Sequence, residues 1–101
     1  MSQTLLQNDT STELREPSLY NVIYINDDQT AVEFVIDTLT NFFKYNVDTA
    51  TQLTENIHNN GRAVVAVLPF EIAEQKGIEV TVLARAKQYP LMVKLEPEET
   101  T

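Results

Sequence analysis

Three short strand-like runs set between longer stretches of helical period confine this chain to a small mixed fold. Tyr20 to Ile25 is β-branched and aromatic, the composition of a buried strand. Ala63 to Leu68, six residues and the longest uninterrupted apolar run, reads as a central strand. Leu91-Met92-Val93-Lys94-Leu95 alternates as a last strand. After the first strand, Asn26-Asp27-Asp28-Gln29 breaks the run, and Thr30 with Glu33 reads as a capping box that opens a helix. Val32, Val35, Ile36, Leu39 and Phe43 then give one apolar stripe, and Lys44-Tyr45-Asn46 ends the helix. Asp48 is the expected N-cap of a second helix, with Ala50, Leu53 and Ile57 on one face and Asn60-Gly61 as its stop. Pro69 opens a third helix over about 70–88, expected to bury Ile72, Ala73, Val80, Leu83 and Ala84 before Tyr89-Pro90 ends it. Gly77 inside that helix costs roughly 1 kcal/mol against alanine and points to a close approach there. The order β-α-α-β-α-β predicts an α+β fold, a three-stranded antiparallel sheet packed against three helices.

A length of 101 residues supports one core and no more. Residues 1–17, rich in Ser, Thr, Gln, Asn and Asp, read as a flexible N-terminal arm, 18–96 as the domain and 97–101 as an acidic tail. Fifteen acidic residues against seven basic ones give a net charge of −8, which repels phosphate backbones and anionic lipid. Neither nucleic acid nor a membrane surface is therefore an expected partner. The absence of cysteine removes disulfides, thiolate zinc sites, iron–sulfur clusters and a cysteine nucleophile together. With His58 as the single histidine, no metal or other cofactor is expected. No apolar run approaches the ~20 residues of a membrane span, and the N-terminus lacks the pattern of a secretory signal. The expected location is cytoplasmic.

Two features carry candidate chemistry. His58, in the last turn of the second helix, suits either the negative end of the helix dipole or a hydrogen-bonding role in a site. Asn26-Asp27-Asp28 is not a calcium loop, because the positions that would need glycine and glutamate hold Val32 and Thr38. These residues either turn the chain at the start of a helix or gather acceptors around a cation such as an ammonium. No nucleophile, base and orienter assemble, so no enzyme is expected.

Taken together, Pro17-Ser18-Leu19-Tyr20, Ile25-Asn26-Asp27-Asp28-Gln29-Thr30, Glu33-Phe34-Val35-Ile36, Phe42-Phe43, Ala50-Thr51-Gln52-Leu53, His58, Gly61 and Tyr89-Pro90-Leu91 resemble the ClpS family. Its members are bacterial adaptors that bring N-end-rule substrates to the ClpAP protease. The resemblance runs from about Pro17 to Glu96 and implies the same β-α-α-β-α-β fold. It implies binding of a protein's free N-terminal residue when that residue is Leu, Phe, Tyr or Trp. The family's α-amino contacts carry over to Asn26, Asp27 and His58, and its side-chain pocket to Asp28, Thr30, Val32, Val35, Thr54, Ile57 and Leu91. An α-ammonium offers three N–H donors, and charge-assisted hydrogen bonds to it contribute roughly 1.5–3 kcal/mol each. The chain departs from the family at Ala31-Val32, where Pro-Met is usual, and at Thr54, where methionine is frequent. Those changes imply a wider, slightly more polar pocket that also admits Ile or Val. The resemblance further implies docking on the N-terminal domain of the ClpA unfoldase, or a related Clp AAA+ unfoldase, through Glu71 and Lys76. The N-terminal arm would engage the unfoldase during delivery of N-degron substrates.

Overall fold

Residues 18–99 are described in a computed structural model, so the predicted arm and the last two residues of the predicted tail lie outside the described residues. The chain runs through β1 (Leu19–Ile25), α1 (Val32–Phe43), α2 (Val47–Asn60), β2 (Arg62–Pro69), α3 (Phe70–Ala86) and β3 (Met92–Pro97). Both neighbours of β1 are antiparallel to it, in the order β2-β1-β3. The fold is the α+β arrangement expected from the sequence, with one change of position. β1 is the central strand and β2 an edge, although β2 has the longer apolar run. Of the apolar run on β2 only Val65 is buried, and Val64 and Val67 are exposed, so apolar content does not report rank in the sheet. A bulge between Val22 and Ile23 leaves Val65 without a partner on β1, and the Tyr45 hydroxyl donates to the Val65 carbonyl.

The core gathers Val22 and Tyr24 from β1, Phe34, Val35 and Leu39 from α1, and Ala50 and Ile57 from α2. Val65, Ala73, Val80, Ala84 and Leu91 complete it. Tyr24 is fully buried and its hydroxyl pairs with Thr38 Oγ1 at 2.8 Å; Thr38 in turn donates to the Val35 carbonyl. Burial holds the Tyr24 phenol in its neutral form, well above its ordinary range, against the weaker opposing effect of the Thr38 hydrogen bond. α3 lies across all three strands, and its small residues Ala73 and Ala84 let it approach closely. Ile72 and Leu83, expected inside, are 46% and 38% exposed. The helix turns a narrower face to the sheet than its apolar content suggests. Nor does Gly77 mark a forced approach, since a Cβ there would meet Val93 Cγ1 at 3.6 Å, an ordinary contact.

Local boundaries also shift. α1 begins at Val32 with Ala31 as N-cap and no side-chain cap, so Thr30 and Glu33 do not form the predicted capping box. The Thr30 hydroxyl donates instead to Asp27 Oδ2 at 2.8 Å, and the helix starts one residue later, with the Ala31 carbonyl accepting the Phe34 and Val35 N–H groups. α2 is capped by Asn46, whose side chain accepts the Thr49 N–H at 2.8 Å; Asp48 sits within the first turn, where its charge suits the dipole. Gly61 ends α2 at φ 85°, a conformation that costs a side chain but not glycine. β3 continues to Pro97, and the Glu98 N–H donates to the Leu19 carbonyl at 2.9 Å.

Candidate functional site

The antiparallel register determines what meets at one end of the sheet. Ile25, the last residue of β1, pairs with Arg62 at the start of β2 and with Met92 at the start of β3. The segments flanking those residues are therefore neighbours: the loop after β1, the C-terminal turn of α2 and the approach to β3. The Asn26 N–H donates to the Gly61 carbonyl at 2.9 Å, tying the loop to the end of α2 one turn beyond His58. Between these segments lies a cleft of about 60 Å³.

Ten residues line that cleft: Ile25, Asn26, Asp27, Thr30, Val32, Val35, Thr54, Ile57, His58 and Leu91. All three residues expected at an α-amino group, Asn26, Asp27 and His58, are among them. So are Thr30, Val32, Val35, Thr54, Ile57 and Leu91 of the expected side-chain pocket. Asp28 is not. It is exposed, because the loop turns the Asp27 carboxylate toward Gln29 and Thr30 and leaves its neighbour outside. Ile25 was missed, since a residue at a strand end carries no chemical signal of its own.

The loop is built around the Asp27 carboxylate. Oδ1 accepts the Gln29 N–H at 2.8 Å and the Thr30 N–H at 2.7 Å, and Oδ2 accepts the Thr30 hydroxyl. Partial burial pushes this carboxyl up, but these three hydrogen bonds outweigh it, helped by the Arg85 charge, and hold it below its usual range. A fixed anion therefore stands at the cleft with part of its acceptor capacity still open. The walls are apolar: Val35, Ile57 and Leu91 are buried, whereas Val32 at the rim is 59% exposed. The Thr54 hydroxyl donates to the Ala50 carbonyl at 2.8 Å, so its donor is satisfied within α2. The expected gain in pocket polarity is thereby muted.

Arg85 is a second residue that sequence reasoning passed over. Its Nη1 donates to the carbonyls of Tyr89 at 2.9 Å and Leu91 at 2.8 Å, fixing the segment that brings Leu91 to the cleft. Phe34 packs against Tyr89 at 5.1 Å between ring centroids and steadies the same segment from α1.

Glu71 and Lys76 stand elsewhere on α3, both outside the cleft, about 140° apart around the helix. Glu71 lies in a groove with Tyr20 and Phe70, and Lys76 in another beside Phe42, Phe43 and Tyr45. The described residues contain no cluster of three or more potential metal ligands, and no helix long and apolar enough to cross a membrane.

Comparison with known proteins agrees with this fold. The family profile of the ATP-dependent Clp protease adaptor protein ClpS matches residues 15–94. The ATP-dependent Clp protease adapter protein ClpS of Sodalis glossinidius is 45% identical over 94 residues, 93% of this chain and 89% of that one. Its counterpart in Pectobacterium carotovorum is 42% identical over 95 residues, 94% of this chain and 90% of that one. Among solved structures, Agrobacterium tumefaciens ClpS2 bound to L-phenylalaninamide superposes with a TM-score of 0.79 at 41% identity, covering 82% of this chain and all (100%) of that one. The relatives are named as adaptors of a protease rather than as enzymes, and by sequence and fold this chain belongs to the ClpS family of Clp protease adaptors.

Proposed function

We propose that this chain binds the free N-terminal residue of N-degron substrates, when it is Leu, Phe, Tyr or Trp, and delivers them to the ClpA unfoldase of ClpAP. The observation that carries the reading is the meeting of Asn26, Asp27 and His58 with an apolar wall of Val35, Ile57 and Leu91 in one cleft. L-phenylalaninamide, the ligand of the similar ClpS2, has a free α-amine, an apolar side chain and an amide in place of a carboxylate. It therefore mimics the first residue of a chain. In this chain Asp27 supplies the charge that meets the ammonium, while Asn26 and His58 supply dipoles. The apolar wall takes the side chain, whose burial contributes on the order of 1.5–3 kcal/mol. Docking through Glu71 and Lys76 on the N-terminal domain of the unfoldase completes the reading.

The test is fluorescence anisotropy with peptides that differ only in residue one: Leu, Phe, Tyr, Trp, Ile, Val, Met and Gly, with N-acetyl-Phe as control. Binding of Leu and the aromatics in the micromolar range or tighter, abolished by acetylation, is expected. Equal binding of the acetylated peptide would remove the ammonium site. Degradation of a Phe-initiated reporter by ClpAP, with and without the chain, tests delivery separately.

A further inference from the structure

The outer edge of β3 is complementary to itself. The Glu98 N–H donates to the Leu19 carbonyl, and from that bond the antiparallel alternation turns the main-chain groups of Glu96, Lys94 and Met92 toward β1. Those of Val93, Leu95 and Pro97 therefore point away from the sheet. Among the described residues no strand lies on that side. On the opposite edge strand, by contrast, the Tyr45 hydroxyl reaches the Val65 carbonyl of β2. We propose that two copies of this chain pair antiparallel through β3, about a two-fold axis at Leu95, so that their two three-stranded sheets become one.

The register carries the argument. With Leu95 opposite Leu95 of the second copy, the two residues exchange N–H to carbonyl hydrogen bonds, and each Val93 N–H meets the Pro97 carbonyl of the other strand. Both outward N–H groups of the strand are then satisfied. Pro97 has none to leave unpaired, and only the Val93 carbonyls remain to water. The same register sets Lys94 opposite Glu96 twice, once on each side of the axis. Moving the axis by one residue sets Lys94 against Lys94, or Glu96 against Glu96, and like charges directly opposite are destabilising. Lysine and proline ordinarily guard an edge against pairing; the two-fold axis makes complements of both. The apolar side of the strand fits as well. Val93 and Leu95 form a groove of about 260 Å³ with Gly77, Ile78 and Val82 of α3. Ile78 and Val82 are exposed, and residues opposite each other across a ladder point to the same face. The axis therefore brings the grooves of both copies together on one face, where burial of their apolar surface favours association.

Sedimentation equilibrium of the full chain over about 10 to 500 μM tests the pairing. The mass is expected to rise from one chain toward two, with a midpoint on the order of 100 μM, as suits a small transient interface. Lys94→Glu and Glu96→Lys each set like charges across the axis and should weaken association about tenfold. Together they restore opposite charges at both places, and the double variant should associate within about twofold of wild type. Glu96→Lys also makes the chain less negative than its net −8, so general repulsion between acidic molecules would make that variant associate more strongly. Lys94 is exposed and the Glu96 side chain is 44% exposed, so neither change disturbs the core. The mass of a single chain at 500 μM overturns the proposal, and is also the result if residues 1–17 occupy the edge instead. Association that Glu96→Lys strengthens, or that the double variant does not recover, overturns it equally.

Discussion

The Asp27 carboxylate accepts three hydrogen bonds from its own loop before any ligand arrives. Its pKa is lowered in the folded chain, so near pH 4 the unfolded chain binds the extra proton and stability rises with pH. The stabilisation is full above the unfolded value of about 3.9 and is lost as pH falls through the lower folded one. Asp27→Asn should therefore cost about 1 kcal/mol, constant from pH 8 to 5.5, with the gap to wild type closing below about pH 4. Urea unfolding at stepped pH measures it, and a gap that closed already near pH 6 would contradict this account. Peptide affinity has a different upper limit. Asp27 stays ionised throughout that range, so weakening above about pH 8 belongs to the peptide's own α-amine, whose pKa is about 7.7–8.0. Val32 is the other residue with a sharp expectation. It stands at the rim, 59% exposed and β-branched, and it cannot fold over the cleft as a longer unbranched side chain can. Val32→Met should lower the affinity of Ile- and Val-initiated peptides relative to Leu by about threefold or more, an effect on the scale of a buried methylene. Unchanged Ile-to-Leu and Val-to-Leu ratios would mean that the rim residue does not gate the pocket.

Among the elements, the segment from α3 to β3 shows how a remote side chain shapes the cleft. Arg85 holds the carbonyls of Tyr89 and Leu91 while its charge reaches Asp27, so one residue steadies two walls. Arg85→Ala should destabilise by about 1–2 kcal/mol, discounted for the exposed half of the pair, and should weaken Leu-peptide binding. Thermal unfolding and anisotropy read the two effects. Gly77→Ala should act oppositely, stabilising by about 0.5–1 kcal/mol, because the added methyl meets Val93 at ordinary distance inside a helix. These elements also divide what the sequence discloses from what it hides. Composition located the first two strands, and periodicity located the helices and the last strand, because burying one face imposes its spacing on neighbouring residues. It misplaced the caps of α1 and α2, which local hydrogen bonds decide: the Asp27 carboxylate takes the Thr30 N–H and hydroxyl in the loop before α1, and Asn46 caps α2 by accepting the Thr49 N–H. Strand order was equally hidden, since the edge strand β2 is as apolar as a central one even though Val64 and Val67 on it are exposed. The cleft became legible only through the family resemblance. No local spacing relates Asn26 to His58, which the Asn26–Gly61 hydrogen bond draws together, and nothing local marks Arg85.

For the whole molecule, the antiparallel sheet sets the two proposed activities at opposite ends. Ile25, Arg62 and Met92 share the end that carries the cleft, whereas Leu19 pairs with Pro69 at the other, where Phe70 and Glu71 begin α3. A seven-residue strand separates those ends by roughly 20 Å. Hydrogen bonds within the sheet make the strand between them stiff, so neither end needs the other in order to keep its shape. Changes at the Glu71 end should therefore leave peptide binding intact. Glu71→Ala with Lys76→Ala is expected to keep the anisotropy of a Phe-initiated peptide within about twofold of wild type, since sites this far apart add independently. The same double variant should lose most of its effect on degradation of a Phe-initiated reporter by ClpAP. His58→Ala should do the reverse, losing peptide affinity while still competing with the wild-type chain for the unfoldase. If the Glu71 and Lys76 changes weakened peptide binding tenfold, the two ends would be coupled through the sheet. If they left delivery untouched, the docking face would lie elsewhere, and the exposed Ile78 and Val82 of α3 would be the next positions to substitute.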